Sequence, residues 1–112
     1  MKETYENIFC IVKEGLQDQV MEAARSEGAT GGTIISARGT ASKEAEDIFD
    51  IVIHPEKAIV MILVPSSIKE KVLHALYKSV GLNTPGQGIA FSMPVDEVVG
   101  ISQPIKTKKQ EK

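Results

Sequence analysis

Six consecutive apolar residues, Ile59-Val60-Met61-Ile62-Leu63-Val64, run straight into Pro65, and this stretch constrains the fold more than any other. It is short, rich in β-formers and closed by a residue that cannot extend a hydrogen-bond ladder, so it reads as a strand. Side chains of a strand alternate between its two faces, and this strand is therefore apolar on both. Apolar residues recur at helical spacing before it, at Leu16, Val20, Ala23 and Ala24, and after it, at Ile68, Val72, Ala75, Leu76 and Ser79. Two helices cover one face of a sheet. In a chain of 112 residues the economical cover for the other face is another copy of the chain.

The remaining elements follow from the same reasoning. Asn7 to Lys13 is a first strand, and the helix from Leu16 stops at Gly28. Thr33 to Arg38 is a second strand ending at Gly39. Ser66 or Ser67 is placed to cap the second helix, with Glu70 three residues beyond Ser67 in a capping-box pattern, and Gly81 ends it. Ile89 to Met93 is the fourth strand, and Pro94 and Asp96 precede a short apolar piece, Val98 to Ile101. Between the second and third strands lies a long excursion, Thr40 to Lys57, charged at its start and apolar at Ile48 to Ile53. An excursion of that length in a compact domain is more often functional than decorative. The order β-α-β, long loop, β-α-β predicts an α+β, ferredoxin-like βαββαβ fold with helices on one face of an antiparallel sheet. One domain covers residues 1–102, and 103–112 form a charged, flexible tail.

Charge and composition exclude several functions. The formal net charge is -2, which lacks the basic footprint of a nonspecific nucleic-acid binder. No apolar run approaches the roughly 20 residues needed to cross a bilayer, and the polar start MKETYEN has no signal-peptide core, so membrane insertion is not expected and a cytoplasmic protein is. The single cysteine, Cys10, sits in an apolar run and reads as a buried structural thiol. Catalytic groups are thin. His74 falls on the polar side of its helix, His54 stands beside Pro55 with no second ligand at metal spacing, and Glu44, Glu46 and Asp47 read as a solvent-facing run. A non-enzymatic protein without a metal centre is expected.

Two glycine-rich turns, Gly31-Gly32-Thr33 and Pro85-Gly86-Gln87-Gly88, precede strands at equivalent points of the two halves. Such turns let backbone N–H groups approach an oxyanion, although ordinary tight turns look the same in sequence. The pieces Gly28-Ala29-Thr30-Gly31-Gly32-Thr33, Arg38-Gly39, Val64-Pro65 and Gly86-Gln87-Gly88 leading to Phe91 together resemble the PII signal-transduction family, over about Asn7 to Ser102. The resemblance implies a homotrimer, with Thr40 to Lys57 in the place of the partner-binding T-loop. It also implies an ATP or ADP site between subunits, at the turn 83–88. Carried over by position, Thr33, Arg38, Gly39, Leu63, Gly86, Gln87 and Gly88 would bind the nucleotide, with Lys43 and Lys57 as further phosphate contacts. The pattern departs where the family usually carries a lysine after its GxG and two arginines near the C-terminus, because this chain has Ile89, Gly100 and Ser102. Lys43 replaces the usual magnesium and 2-oxoglutarate glutamine, and the loop has no tyrosine to uridylylate. The expected function is adenine-nucleotide sensing coupled to regulation of a transporter or enzyme. The rivals are a PII-like receptor for cyclic di-AMP, AMP or bicarbonate, and a CutA-like trimeric metal-binding protein. An acylphosphatase lacks its phosphate-cradle arginine here.

Overall fold

Alternation decides the architecture. In the computed structural model, which describes residues 3–40, 43–50 and 55–101, strand β1 (Tyr5–Lys13) buries Ile8, Cys10 and Val12 on one face. Strand β3 (Glu56–Pro65) buries Ala58, Val60, Ile62 and Val64 on the same face, in antiparallel register with β1. Strands β2 (Thr33–Arg38) and β4 (Gly88–Val95) flank this pair, giving the order β2-β3-β1-β4 with every neighbour antiparallel. That is the ferredoxin-like order the sequence predicts.

Helix α1 (Gln17–Ser26) and helix α3 (Lys69–Ser79) pack on the buried face, contributing Val20, Met21, Ala23 and Ala24 from one and Val72 and Leu76 from the other. Asp18 in the first turn of α1 and Arg25 in its last complement the helix dipole. Helix α1 ends where Gly28 donates its N–H to the Arg25 carbonyl at 3.0 Å. The C-terminal carbonyls of α3 are met by two glutamine amides. Gln19 Nε2 donates to Ser79 O at 2.9 Å and Gln87 Nε2 to Val80 O at 3.0 Å. His74 is exposed, as its spacing predicts.

Three local expectations need correction. The serine cap does not form: Ser66 to Ile68 make a 3-10 turn, α3 begins at Lys69, and its N-cap residue Ile68 offers no side-chain acceptor. Ser66 is instead drawn to β1, with its N–H on Thr4 O at 2.8 Å and its hydroxyl accepting from Thr4 Oγ1 at 2.8 Å. The charged start of the excursion is not loop but helix α2 (Lys43–Phe49), and Ile48 and Phe49 lie on it, with 72% and 52% of their surface exposed. The first and last strands run longer than expected, β1 from Tyr5 and β4, on the sheet edge, to Val95 through Pro94, where an edge strand tolerates proline. His54, residues 51–53 of the apolar segment Ile48 to Ile53, and the charged tail lie outside the described residues.

The face of the sheet away from the helices is open. Register lines up Ile35, Ile59, Ile11 and Ile89 in one row across all four strands. The adjacent row holds Thr33, Met61, Phe9 and Phe91, in which Phe9 and Phe91 stack at 5.3 Å between centroids. No described residue covers these rows, and Ile89 retains 59% of its surface. This is the second apolar face that the run Ile59 to Val64 requires.

Candidate functional site

The open face ends in a cleft at each extremity, and the residues singled out in the sequence divide between them. At one end Gly31, Gly32 and Thr33 meet Asn7, Met61 and Leu63 in a cavity of about 540 Å³, closed on its far side by Val95 and the Glu97 to Val99 segment. At the other end Lys57, Gly86 and Gly88 meet Ile11 and Ile89 in a smaller cavity of about 230 Å³. Leu63 and Lys57 belong to the same strand, six residues apart, which is about 20 Å along β3. One chain therefore does not bring Thr33 and Leu63 together with Gly39, Lys57 and the 83–88 turn.

The smaller cleft forms at the neck of the excursion. Arg38 pairs with Glu56 as the last step of the β2–β3 ladder, and Gly39 donates its N–H to Pro55 O at 2.7 Å. The Lys57 side chain lies over Gly39, where a Cβ would meet Lys57 Cε at 2.9 Å. Alternation puts Lys57 and Ala37 on the open side and Arg38, exposed, on the helix side. The two cations that are neighbours in the loop base thus leave the sheet in opposite directions. Lys43 begins α2, and its side chain lies outside the described set.

The turn 83–88 has structural work that its sequence does not reveal. Gly86 has φ +83°, a left-handed conformation in which a branched residue is strained. A Cβ on Gly88 would press on the Ile11 carbonyl and on Val12 Cγ1 at 2.9 Å, so this glycine lets β4 join β1. Gln87 is occupied internally: its N–H donates to Thr84 O at 3.1 Å and its side-chain amide holds Val80 O. What the turn offers an incoming ligand is its exposed Gly86 corner beside Lys57. Register adds one residue that the sequence could not show. Lys13, the last residue of β1, stands directly opposite Lys57.

Elsewhere the chemistry is spare. Cys10 is fully buried and desolvation pushes its thiol up to about 11. Among the described residues no three His, Cys, Asp or Glu side chains gather in a way that would hold a metal ion. No helix among them is long and apolar enough to cross a membrane.

Residues 5–104 match the family model of the nitrogen regulatory protein P-II. The chain belongs to that family. Its fold recurs in solved structures of P-II proteins at low identity. The PII protein of Arabidopsis thaliana bound to citrate is 21% identical, with 89% of this chain and 82% of that chain covered and a TM-score of 0.68. The B. subtilis GlnK-ATP complex is 15% identical, with 85% of this chain and 84% of that chain covered and a TM-score of 0.65. The same fold also forms 26% of a Bacillus cereus protein related to NIF3, 16% identical over 85% of this chain with a TM-score of 0.64. No curated protein matches the sequence. Between β2 and β3 the described residues Lys43–Phe49 form helix α2, which ends in the exposed apolar residues Ile48 and Phe49.

Proposed function

We propose that this P-II protein is a homotrimeric, non-enzymatic regulator that binds ATP or ADP in clefts between subunits and acts on a partner protein through residues 40–57. The observation that carries this reading is the division of the site. An uncovered apolar face runs between two clefts, one lined by Thr33 and Leu63 and the other by Lys57, Gly86 and Gly88. Association through that face buries the isoleucine row and sets one subunit's first cleft beside another subunit's second. Apolar walls at Met61, Leu63 and Val95 suit a flat base, and the Lys57 end suits phosphate. The ATP in the B. subtilis GlnK complex supports the choice of ligand class. The exposed Ile48 and Phe49 of α2 are the apolar groups available to a partner.

Calorimetry of the purified protein against ATP, ADP, AMP, cyclic di-AMP and 2-oxoglutarate tests the reading. Binding of ATP or ADP at up to millimolar concentration, with one ligand per subunit, is the expected result. Binding of cyclic di-AMP alone would move the assignment to a PII-like receptor of another kind, and binding of none would remove the nucleotide site.

A further inference from the structure

Helix α2 is charged against its own dipole. A helix carries partial negative charge at its C-terminal end, where cations stabilise it and carboxylates do not. Helix α1 has Arg25 in its last turn and α3 has Lys78, whereas the last turn of α2 has no basic residue. It holds Asp47 instead, and Asp50 follows directly after Phe49 with φ +55°, a left-handed conformation that glycine or asparagine ordinarily takes at a helix end. Both carboxylates are exposed, and neither forms an ion pair among the described residues. Between them stand the exposed apolar side chains of Ile48 and Phe49. None of the other described elements makes an extended contact with α2. A surplus of negative charge and an apolar pair thus coincide where the rest of the described chain leaves them uncovered.

We infer that the end of α2 is an apolar plug for a protein partner whose receiving pocket is apolar and rimmed by lysine or arginine. This assignment deepens the proposed role of residues 40–57 as the partner contact and rests on it. A basic rim supplies the cations that the Asp47 and Asp50 carboxylates and the helix dipole lack, while Ile48 and Phe49 leave water for the pocket. Seven residues are too few to hold a helix by themselves, so the same cations stabilise α2 as it docks. The charge argues against an anionic membrane surface, which repels Asp47 and Asp50. It argues equally against the same end of a second copy, which presents the same carboxylates.

Two fluorescently labelled amphipathic peptides, one of leucine and lysine and the other of leucine and glutamate, are the probes, titrated by anisotropy against the whole protein. The expected result is a preference for the lysine peptide that narrows about tenfold in Asp47→Lys/Asp50→Asn, where asparagine keeps the left-handed turn. Ile48→Ser/Phe49→Ser should lose the lysine peptide, and the parent's affinity for it should fall as salt rises. Equal affinity for the two peptides, both lost with Ile48 and Phe49, would overturn the basic rim and leave residues 40–57 as the partner contact. Lysine-peptide binding that survives Ile48→Ser/Phe49→Ser would overturn the plug together with that contact, and binding of neither peptide would overturn the plug. Binding to phosphatidylserine vesicles through Ile48 and Phe49 would overturn the choice of a protein partner. ATP calorimetry on the same parent preparation reports separately on the nucleotide site.

Discussion

At the scale of single residues, the glycines separate into those the fold consumes and those it leaves free. Gly88 cannot carry a Cβ without pushing on the Ile11 backbone, so Gly88→Ala should cost about 1–3 kcal/mol in chemical denaturation whether or not a ligand is present. Gly39 is different. The three atoms nearest a methyl there all belong to the Lys57 side chain, and Gly39→Ala should change stability by less than about 0.5 kcal/mol while weakening ATP binding by displacing that side chain. A loss of fold in Gly39→Ala, or full affinity, would separate this glycine from the site. Cys10 gives a pH prediction. Its thiol rises from 9.0 to about 11 on burial, so between about pH 9 and pH 11 the unfolded chain loses a proton the folded chain keeps, and stability falls as pH rises through that window. Below about pH 9 the contribution is constant, and Cys10→Ala should flatten the alkaline limb of the stability curve. The resemblance put Gly39, Gly86, Gly88 and Lys57 at one site with Thr33 and Leu63, which within one chain line a separate cavity at the other end of β3. It could not find Lys13, because cross-strand register is a long-range property that no local pattern encodes.

At the scale of elements, the strands and the two long helices were legible because each carries several turns or steps of its period. Val20, Ala23 and Ala24 on α1 and Val72 and Leu76 on α3 are buried as their spacing predicts. Leu76→Ala should therefore cost about 2–5 kcal/mol in urea denaturation, the range for emptying a packed aliphatic site. Helix α2 was not legible. Its seven residues complete only two turns, its apolar residues sit together at one end, and its run of Lys and Glu has the composition of a solvated loop as readily as of a helix. The capping box failed for a related reason. A Ser-x-x-Glu pattern is a local preference, and here Ser67 lies inside the 3-10 turn Ser66–Ile68 while Ser66 is held by Thr4, so α3 starts beyond both serines. The open face yields a sharper test than either. Ile35 keeps 41% of its surface in the single chain, so Ile35→Lys should leave the chain folded by circular dichroism while light scattering reports one chain mass. An unaltered assembly in that variant would show that the isoleucine row is not the contact.

At the scale of the molecule, the fold reads as a sheet with one face finished and the other left for association. Light scattering of the parent protein should give three times the 12.1 kDa chain mass; a stable single chain in dilute solution would leave Thr33 and Leu63 permanently remote from Lys57. That remoteness along β3 has a consequence for how such a protein behaves in a cell. A receptor whose pocket is split between opposite ends of one strand cannot be occupied by a lone molecule, so occupancy is bimolecular in protein as well as in ligand. Dilution should then erase sensing before it erases folding, and each nucleotide captured should act as glue, tightening the very contacts that made its capture possible. On the proposed reading abundance becomes a second input, and a newly made chain should stay silent until it has found its neighbours.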